Sequence, residues 1–336
     1  MTDERRILVT GAGGPAGVTV VRTLRQLGVW VLATDVNRYG AGLQLADDAE
    51  TVPPYTDPDY VTALIETAGR HDVNGLISTM TEGMSVLTAP ESEPRFGEHG
   101  IATWFPPKAA VDACLDKARF AEVTEGAGQP VPRSAWGPVE DALARVPGPW
   151  IVKPRFGRGS RDIYSTDDAD VVREVWPRVP EPILQTRISG REFTFDALVD
   201  RDGSLAGGVP RFRVETKSGI STTGVTFAAP GIHEAVESFL GCLGHTGPAN
   251  VQGFIGDGGE LTFMEVNPRF SGALALSLGS GADLVGQYVN AVYGQPIDRA
   301  ALTYEPGTVM TRYWAESFTH EDPLELPPLV PYVPGV

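Results

Sequence analysis

The sequence predicts a protein of mixed class, with an α/β domain followed by a larger α+β region. Strands and helices alternate from 6 to 104, and repeated βαβ units of this kind build a parallel sheet covered by helices. Later segments, from 183 to 214 and from 250 to 266, are extended and alternating and predict antiparallel strands. Pro106-Pro107 lies between the two regions and marks the predicted boundary.

The α/β region begins with the apolar strand Ile7-Leu8-Val9 and a glycine-rich turn over 11–17. Apolar residues at helical spacing predict a helix over 18–27, which Gly28 ends. A second strand follows and leads to Asp35. The same pattern continues with a helix over 64–68 and a buried strand over 75–79.

The α+β region has fewer repeating features and is assigned element by element. Its predicted elements are a helix over 108–126 with a break near Asp116, a strand at Trp150-Ile-Val-Lys153 closed by Pro154, a helix over 167–175 capped by Asp167, a hairpin turning on Asp257-Gly258, and a helix over 282–292. Residues 323–334 are rich in proline and predict a strap or a disordered tail.

Composition excludes several classes of function. The chain has 27 Lys+Arg and 43 Asp+Glu, a net charge of −16, which argues against binding nucleic acid or anionic lipid. No apolar run is long enough to span a bilayer, and no signal peptide is expected at the start. Two cysteines, Cys114 and Cys242, cannot build a disulfide framework, and the five histidines lack metal-site spacing. We therefore expect a soluble cytoplasmic protein.

The glycine-rich turn with Asp35 matches a dinucleotide-binding fingerprint, in which glycines approach a pyrophosphate and the acid binds a ribose hydroxyl. An NAD(P)-dependent oxidoreductase is therefore one interpretation. The other is that glycines serve any tight strand-to-helix turn in a doubly wound sheet. None of the nine tyrosines is followed four residues later by lysine, as a short-chain dehydrogenase would need, so the scaffold interpretation is favoured.

The strongest chemical pattern is the strand end Glu265-Val-Asn267-Pro-Arg269. Side chains two apart on a strand share a face, so Glu265 and Asn267 point the same way. A two-residue loop at Asp257-Gly258 would place Asn250 opposite Glu265 and Gln252 opposite Phe263, with all four polar groups on one face. Carboxylate and amide oxygens suit Mg²⁺, and Arg269 would reach the phosphate that the metal binds. The alternative is a solvated strand face.

A second pattern is basic. Lys153 lies on an otherwise apolar strand and needs an anionic partner, and Arg155, Arg158 and Arg161 follow closely in a strongly acidic chain. The glycine-rich stretch 157–160 offers backbone N–H groups to phosphate oxygens, although it is not a Walker loop. A basic surface hairpin is the alternative.

The third pattern, Gln185-Thr-Arg187-Ile188 followed by Glu192, would suit a hinge that binds an adenine edge and a ribose. Taken alone, an acidic residue in a strand is as consistent with a structural role as with ribose binding.

In this order, the three patterns resemble the ATP-grasp superfamily, most closely the branch of carbamoyl-phosphate synthetase halves, biotin carboxylases and amino-acid ligases. The resemblance implies a Rossmann-like pre-ATP-grasp domain at 1–105, a first ATP-grasp lobe with the glycine-rich loop at 106–181, a second lobe with the metal site at 182–320, and a proline-rich tail at 321–336. It implies nucleotide contacts at Lys117, Lys153, Gly157, Arg158, Gly159, Ser160, Gln185, Arg187, Ile188 and Glu192. It also implies Mg²⁺ or Mn²⁺ ligands at Gln252, Glu265 and Asn267, although many relatives carry an acid where Gln252 stands.

The activity that the resemblance implies is an ATP-dependent carboxylate–amine ligase, in which Arg269, Lys153 and Arg213 act on the reacting groups. An acyl phosphate would form from a small acid or amino acid, and an amine would convert it to an amide. A bicarbonate- or biotin-directed carboxylase of the same fold remains the alternative, with the oxidoreductase behind it. Relatives are commonly dimers, which leaves a homodimer open. Candidate substrate contacts are Arg211, Arg213, Glu215, the stretch 218–223, and Thr79, Thr81 and Glu82.

Overall fold

A computed structural model describes residues 4–157, 162–217 and 219–320, and this part of the chain contains three β-sheets. The first sheet is parallel, with strand order β3-β2-β1-β4. Its elements are β1 (Arg6–Thr10), α1 (Pro15–Gln26), β2 (Trp30–Asp35), β3 (Asp48–Thr51), α2 (Tyr60–Arg70) and β4 (Gly75–Ser78), followed by the short helices α3 (Met84–Leu87) and α4 (Glu93–Glu98).

This sheet confirms the predicted α/β class. Helix α1 begins at Pro15, earlier than the apolar spacing indicates, because proline fits the first helical turn, where no backbone N–H partner is needed. Strand β3 was not predicted, because three of its four residues, Asp-Ala-Glu-Thr, are polar and the strand lies at the partly exposed edge of the sheet.

The second sheet is antiparallel, with order β5-β8-β6-β7. Its region contains α5 (Lys108–Leu115), α6 (Lys117–Gly126), β5 (Ser134–Trp136), α7 (Val139–Arg145), β6 (Trp150–Pro154), β7 (Tyr164–Thr166), α8 (Ala169–Val175), a 3-10 turn (Trp176–Arg178) and β8 (Pro182–Thr186). The predicted break at Asp116 is confirmed, because its carboxylate caps α6 by accepting from the backbone N–H groups of Ala118 and Arg119. The predicted cap of α8 was wrong by one residue: Asp168, not Asp167, accepts from the first turn.

The third sheet is the largest, with order β13-β12-β9-β10-β11-β14, and it is antiparallel throughout. Its region contains β9 (Arg191–Val199), β10 (Leu205–Lys217), β11 (Ile220–Thr226), α9 (Ile232–Cys242), β12 (Gly247–Ile255), β13 (Leu261–Asn267), α10 (Leu274–Gly279), α11 (Leu284–Val292), a 3-10 turn (Arg299–Leu302) and β14 (Val309–Thr311).

Helix α11 joins the first sheet to the third. Val285 and Tyr288 share one buried apolar cluster with Val9 of β1 and Leu198 of β9. The Tyr288 hydroxyl also donates to the backbone oxygen of Trp104, at 2.6 Å. Because this core is continuous, the loops after the parallel strands are held against the end of β13.

Among the described helices, none is both long enough and apolar enough to cross a bilayer. The predicted proline-rich tail lies outside the described residues, as do Arg158, Gly159, Ser160, Arg161 and Ser218.

Candidate functional site

The hairpin of β12 and β13 carries the predicted metal ligands, and its predicted register was wrong. Gly256 donates its N–H to Glu260 O, so the loop contains Asp257, Gly258 and Gly259 rather than two residues. Gln252 pairs with Glu265, and Asn250 pairs with Asn267.

A β-bulge explains why the polar residues still share a face. Gln252 pairs with Glu265 while Gly253 pairs with Phe263, which leaves Met264 as an extra residue on β13. The longer loop shifts the register by one residue and the bulge shifts it by another, and a shift of two preserves the face. The bulge also turns Phe263 to the other side, where its ring stacks on Phe239 with centroids 4.1 Å apart.

Glu265 and Asn267 point toward each other. Asn267 Nδ2 donates to Glu265 Oε1 at 3.2 Å, and on the neighbouring strand Gln252 Nε2 donates to Asn250 Oδ1 at 3.4 Å. Asn267 Oδ1 in turn accepts from Arg269 Nη2 at 3.1 Å and from the hydroxyl of Thr81 at 3.2 Å. The end of β13 is therefore a connected group of polar side chains.

Two lysines of the second region face this group. Lys153 lies on β6 and donates from Nζ to Gln185 Oε1 on β8 at 2.8 Å. Burial lowers the pKa of Lys153 to about 8, and the Glu265 carboxylate opposes this while the Lys117 ammonium adds to it. Burial likewise lowers the pKa of Lys117, against the opposing carboxylates of Glu265 and Asp116. An acid from the third sheet thus lies close enough to two lysines of the second region to oppose the effect of burial on the pKa of each.

Lys117 is held at the first residue of α6, where its Nζ donates to Gly157 O at 3.0 Å and to Arg155 O at 3.4 Å. The Arg155 side chain makes a two-pronged pair with Asp116, with both contacts at 2.6 Å. Arg155 is therefore structural, and among the residues described in this region Lys117 and Lys153 are cations whose pKa values respond to Glu265.

The donor set at β13 suits a hard cation. No group of three or more His, Cys, Asp or Glu side chains that could hold a metal ion occurs among the residues that the structure describes. The set at β13 is instead one carboxylate with amide side chains beside it. Mg²⁺ commonly binds few protein oxygens together with substrate phosphates, and Glu265, Asn267 and Gln252 fit that requirement. Asn267 directs its amide nitrogen at Glu265, so its oxygen would join the same ion only after the amide turns over.

The residues predicted to contact adenine and ribose have different side-chain partners. Gln185 contacts Lys153, whereas Arg187 donates to Ser165 Oγ at 2.9 Å, and Ile188 follows in the connection to β9. Glu192 accepts from Arg213 Nη1 at 2.5 Å, and Arg213 also donates to Gly219 O. The predicted ribose acid and the predicted catalytic arginine thus form a pair with each other on β9 and β10.

Arg211, a candidate substrate contact, is buried in the protein interior. It pairs with Asp196 at 3.0 Å, and each side chain of the pair is 4% exposed. Burial raises the pKa of Asp196, but Arg211 and the hydroxyl of Ser277 outweigh this, and the pKa lies below its usual value. The carboxylate also accepts from Asn250 Nδ2 at 2.8 Å, so this network holds a side chain of the neighbouring strand β12 in place.

Sequence reasoning missed Arg312. Its guanidinium donates to Ser221 O on β11 and to Gly272 O, just beyond Arg269. Burial lowers the pKa of Arg312, and the nearby Arg211 adds to the effect. No local motif marks this arginine, because only the fold brings it to the loop after β13.

The glycine-rich turn is contacted by other residues of the first sheet region at the positions where a dinucleotide would bind. Asp35 Oδ2 accepts from the Gly13 N–H at 2.8 Å, which occupies the acid that a dinucleotide site would offer to a ribose. A Cβ on Gly42 would lie 2.0 Å from Ala12 O, so the loop after β2 packs directly on the turn. These contacts favour the scaffold interpretation of the motif.

Comparisons with known proteins agree with this architecture. Residues 7–103 match the family model described as the PylC-like N-terminal domain, and residues 178–313 match the model described as ATP-grasp in the biosynthetic pathway with Ter operon. The carbamoyl phosphate synthase large chain of Methanospirillum hungatei is 23% identical, over 98% of this chain and 32% of that protein. A D-alanine–D-alanine ligase of Cereibacter sphaeroides is 34% identical over 26% of this chain and 30% of that enzyme. This chain thus spans about a third of the length of these relatives.

Solved structures show the same fold at low identity. The biotin carboxylase domain of the Hydrogenobacter thermophilus 2-oxoglutarate carboxylase superimposes with a TM-score of 0.72 at 17% identity, covering 89% of this chain and 72% of that one. The L-amino acid ligase of Bacillus licheniformis gives 0.69 at 15% identity, covering 91% and 78%.

Proposed function

Because the chain belongs to the ATP-grasp superfamily, we propose that it is an ATP-dependent carboxylate–amine ligase. The observation that carries the proposal is the convergence of Lys117 and Lys153 from one lobe on Glu265 from the other. Opposed charges of this kind, with Asn267 and Arg269 beside the acid, suit a bound polyphosphate and its counter-ion.

The proposed reaction has two steps. An oxygen of the substrate carboxylate attacks the terminal phosphorus of ATP, the bond from that phosphorus to the bridging oxygen breaks, and ADP leaves. The nitrogen of an amine then attacks the acyl carbon of the acyl phosphate, phosphate leaves with the electron pair, and the nitrogen loses a proton. Positioning and electrostatics account for catalysis, so no serine or cysteine nucleophile is needed.

Each side chain of the cluster has a proposed role. Lys117 and Lys153 hold phosphate oxygens, and Arg269 stabilises the transferred phosphoryl group. Mg²⁺, or Mn²⁺ in its place, held by Glu265, Asn267 and Gln252, would neutralise charge on the phosphates. Gln185, Arg187 and Ile188 would contact adenine along β8 and its exit.

Glu192 and Arg213 need a change of partners to act as proposed. Glu192 is engaged by Arg213, so ribose hydroxyls would share or displace that arginine. Release of Arg213 would leave its guanidinium available to a substrate carboxylate or acyl phosphate. Nucleotide binding at Glu192 would in this way free Arg213 to bind the second substrate group.

A carboxylase directed at bicarbonate or biotin is the second candidate. Biotin carboxylase and amino-acid ligase structures superimpose almost equally well, with TM-scores of 0.72 and 0.69, so likeness of fold does not choose between them. An oxidoreductase is disfavoured, because Asp35 is already bonded by Gly13.

The test incubates the purified full chain with ATP, MgCl₂ and a panel of amino acids, singly and in pairs, beside bicarbonate with and without biotin. ADP release is measured by a coupled assay, and products are identified by mass spectrometry. ADP release that depends on an amino acid, with an amide product, supports the ligase. Dependence on bicarbonate or biotin supports the carboxylase, and tight NADPH binding without ATP binding contradicts both.

A further inference from the structure

The loop after β4 reaches out of the first sheet and contacts the end of β13. Thr81 Oγ1 accepts from Arg269 Nε at 3.0 Å and donates to Asn267 Oδ1 at 3.2 Å. Arg269 Nη2 also donates to the same Asn267 oxygen at 3.1 Å. Thr81, Asn267 and Arg269 therefore form a closed triangle of hydrogen bonds between two domains.

The glycine-rich turn seats this loop. Thr79 donates from Oγ1 to Gly11 O at 2.8 Å, and its backbone N–H donates to Thr10 O at 3.1 Å. Gly11 has a φ of +72°, and a Cβ there would lie 2.2 Å from Met80 Cγ. The turn that resembles a dinucleotide site thus fixes the start of the segment that carries Thr81.

The chemistry of the contact requires a hydroxyl. A threonine hydroxyl can donate one hydrogen bond and accept another at the same time, so it orders both an arginine and an amide. Valine has nearly the same shape but can do neither. Without the hydroxyl, the Arg269 side chain and the Asn267 amide would gain rotamer freedom and lose defined orientation.

We infer that Thr81 is a positioning residue of the first domain, which orients Arg269 and Asn267 for the metal-bound nucleotide. The hydroxyl serves either orientation of the Asn267 amide, because it donates to Oδ1 as the amide now lies and would accept from Nδ2 once the amide turns its oxygen to the ion. The inference rests on the proposed function, since both side chains matter only if a nucleotide with its metal binds there. It also gives the first domain a direct part in the site of the third sheet.

The experiment titrates the full chain with β,γ-imido-ATP by calorimetry, once with MgCl₂ and once with EDTA. Thr81→Val is compared with wild type, with Thr81→Ser, which keeps the hydroxyl, and with Thr62→Val. Thr62 is a matched control, because it is a half-buried threonine of the same domain that accepts from Arg95 Nη2 at 2.9 Å. Thermal melting of each variant monitors folding, and Thr81→Ala replaces Thr81→Val if valine prevents folding.

The ratio of the affinity with MgCl₂ to the affinity with EDTA should be about tenfold smaller in Thr81→Val than in wild type. A decrease of this size is in line with the loss of hydrogen bonds to a charged group and to a metal ligand. Its affinity in EDTA should stay within about twofold of wild type, and Thr81→Ser and Thr62→Val should both resemble wild type. Equal Mg²⁺-dependent gains in Thr81→Val and wild type would overturn the inference and leave the proposed function intact. A wild type that binds no nucleotide under either condition would overturn the proposed function instead.

Discussion

Two strand ends in this protein carry an acid next to a polar turn, and they differ in where the acid's oxygens are directed. Asp35, at the end of β2, accepts from the backbone N–H groups of Gly13 and Asn37. Both carboxylate oxygens are therefore hydrogen-bonded to backbone of the same sheet region. Glu265, near the end of β13, accepts from Asn267, and its carboxylate also opposes the effect of burial on the pKa values of Lys117 and Lys153 in the second region. A sequence motif therefore indicates a binding site only when its polar side chains are not already hydrogen-bonded to the backbone of the turns around them.

Replacing Glu265 should have the largest effect on activity. Glu265→Gln keeps the shape but removes the charge that a cation and the two lysines require, and we expect ADP formation to fall by at least about 100-fold. The measurement is the coupled ADP assay with the substrates found in the panel, with circular dichroism to confirm folding. Normal turnover in a folded Glu265→Gln protein would show that the acid has been assigned the wrong role.

The pH dependence of nucleotide affinity should give an intermediate effect. The folded protein lowers the pKa of Lys153 to about 8, so the side chain is a cation below that pH and becomes neutral above it. Affinity for β,γ-imido-ATP with Mg²⁺ should therefore fall by up to about tenfold between pH 7 and pH 9. Lys117, whose pKa is also lowered, contributes in the same direction.

Calorimetry in buffers of different ionisation enthalpy checks this prediction, because it gives the number of protons that the protein takes up when the nucleotide binds. Binding near pH 8 should take up protons, because phosphate stabilises the charged lysines. Lys153→Arg is the control, since arginine stays charged and should flatten the profile. A wild-type profile as flat as that of Lys153→Arg would contradict the role of Lys153.

Replacing Asp35 should have the smallest effect on activity. Asp35→Asn weakens the bonds to the Gly13 and Asn37 N–H groups, and we expect a loss of about 1 kcal/mol in the free energy of unfolding. ADP formation should stay within about twofold of wild type, because the turn contacts no reacting group. Urea unfolding and the ADP assay measure the two quantities. A large loss of activity with unchanged stability would show that Asp35 belongs to a ligand site.

The proposed site residues could be predicted from the sequence because their signals are local. Glu265 and Asn267 are two residues apart on a strand that Pro268 closes, and Lys153 is a lone charge on an apolar strand. These patterns, with the glycine turn and its strands, were enough to indicate the α/β and α+β classes and the superfamily.

The rest depends on contacts that no local pattern encodes. The bulge at Met264 changes which residue faces which partner, and although Gly253 lies opposite it on β12, a single glycine in a strand does not specify a bulge. Thr81 and Arg269 are 188 positions apart, and Arg312 reaches its loop only through the edge strand β14. Arg211 looked like a substrate contact because it is charged, but burial beside Asp196 makes it part of the frame.

The central claim is that a polyphosphate and its cation bind between Lys153 and Glu265. The most direct measurement is a crystal structure of the full chain with β,γ-imido-ATP and Mn²⁺, with anomalous differences used to locate the ion. We predict an anomalous peak within coordination distance of the Glu265 carboxylate and phosphate oxygens in contact with Lys153. A nucleotide bound elsewhere, or a peak with no contact to Glu265, would contradict the account.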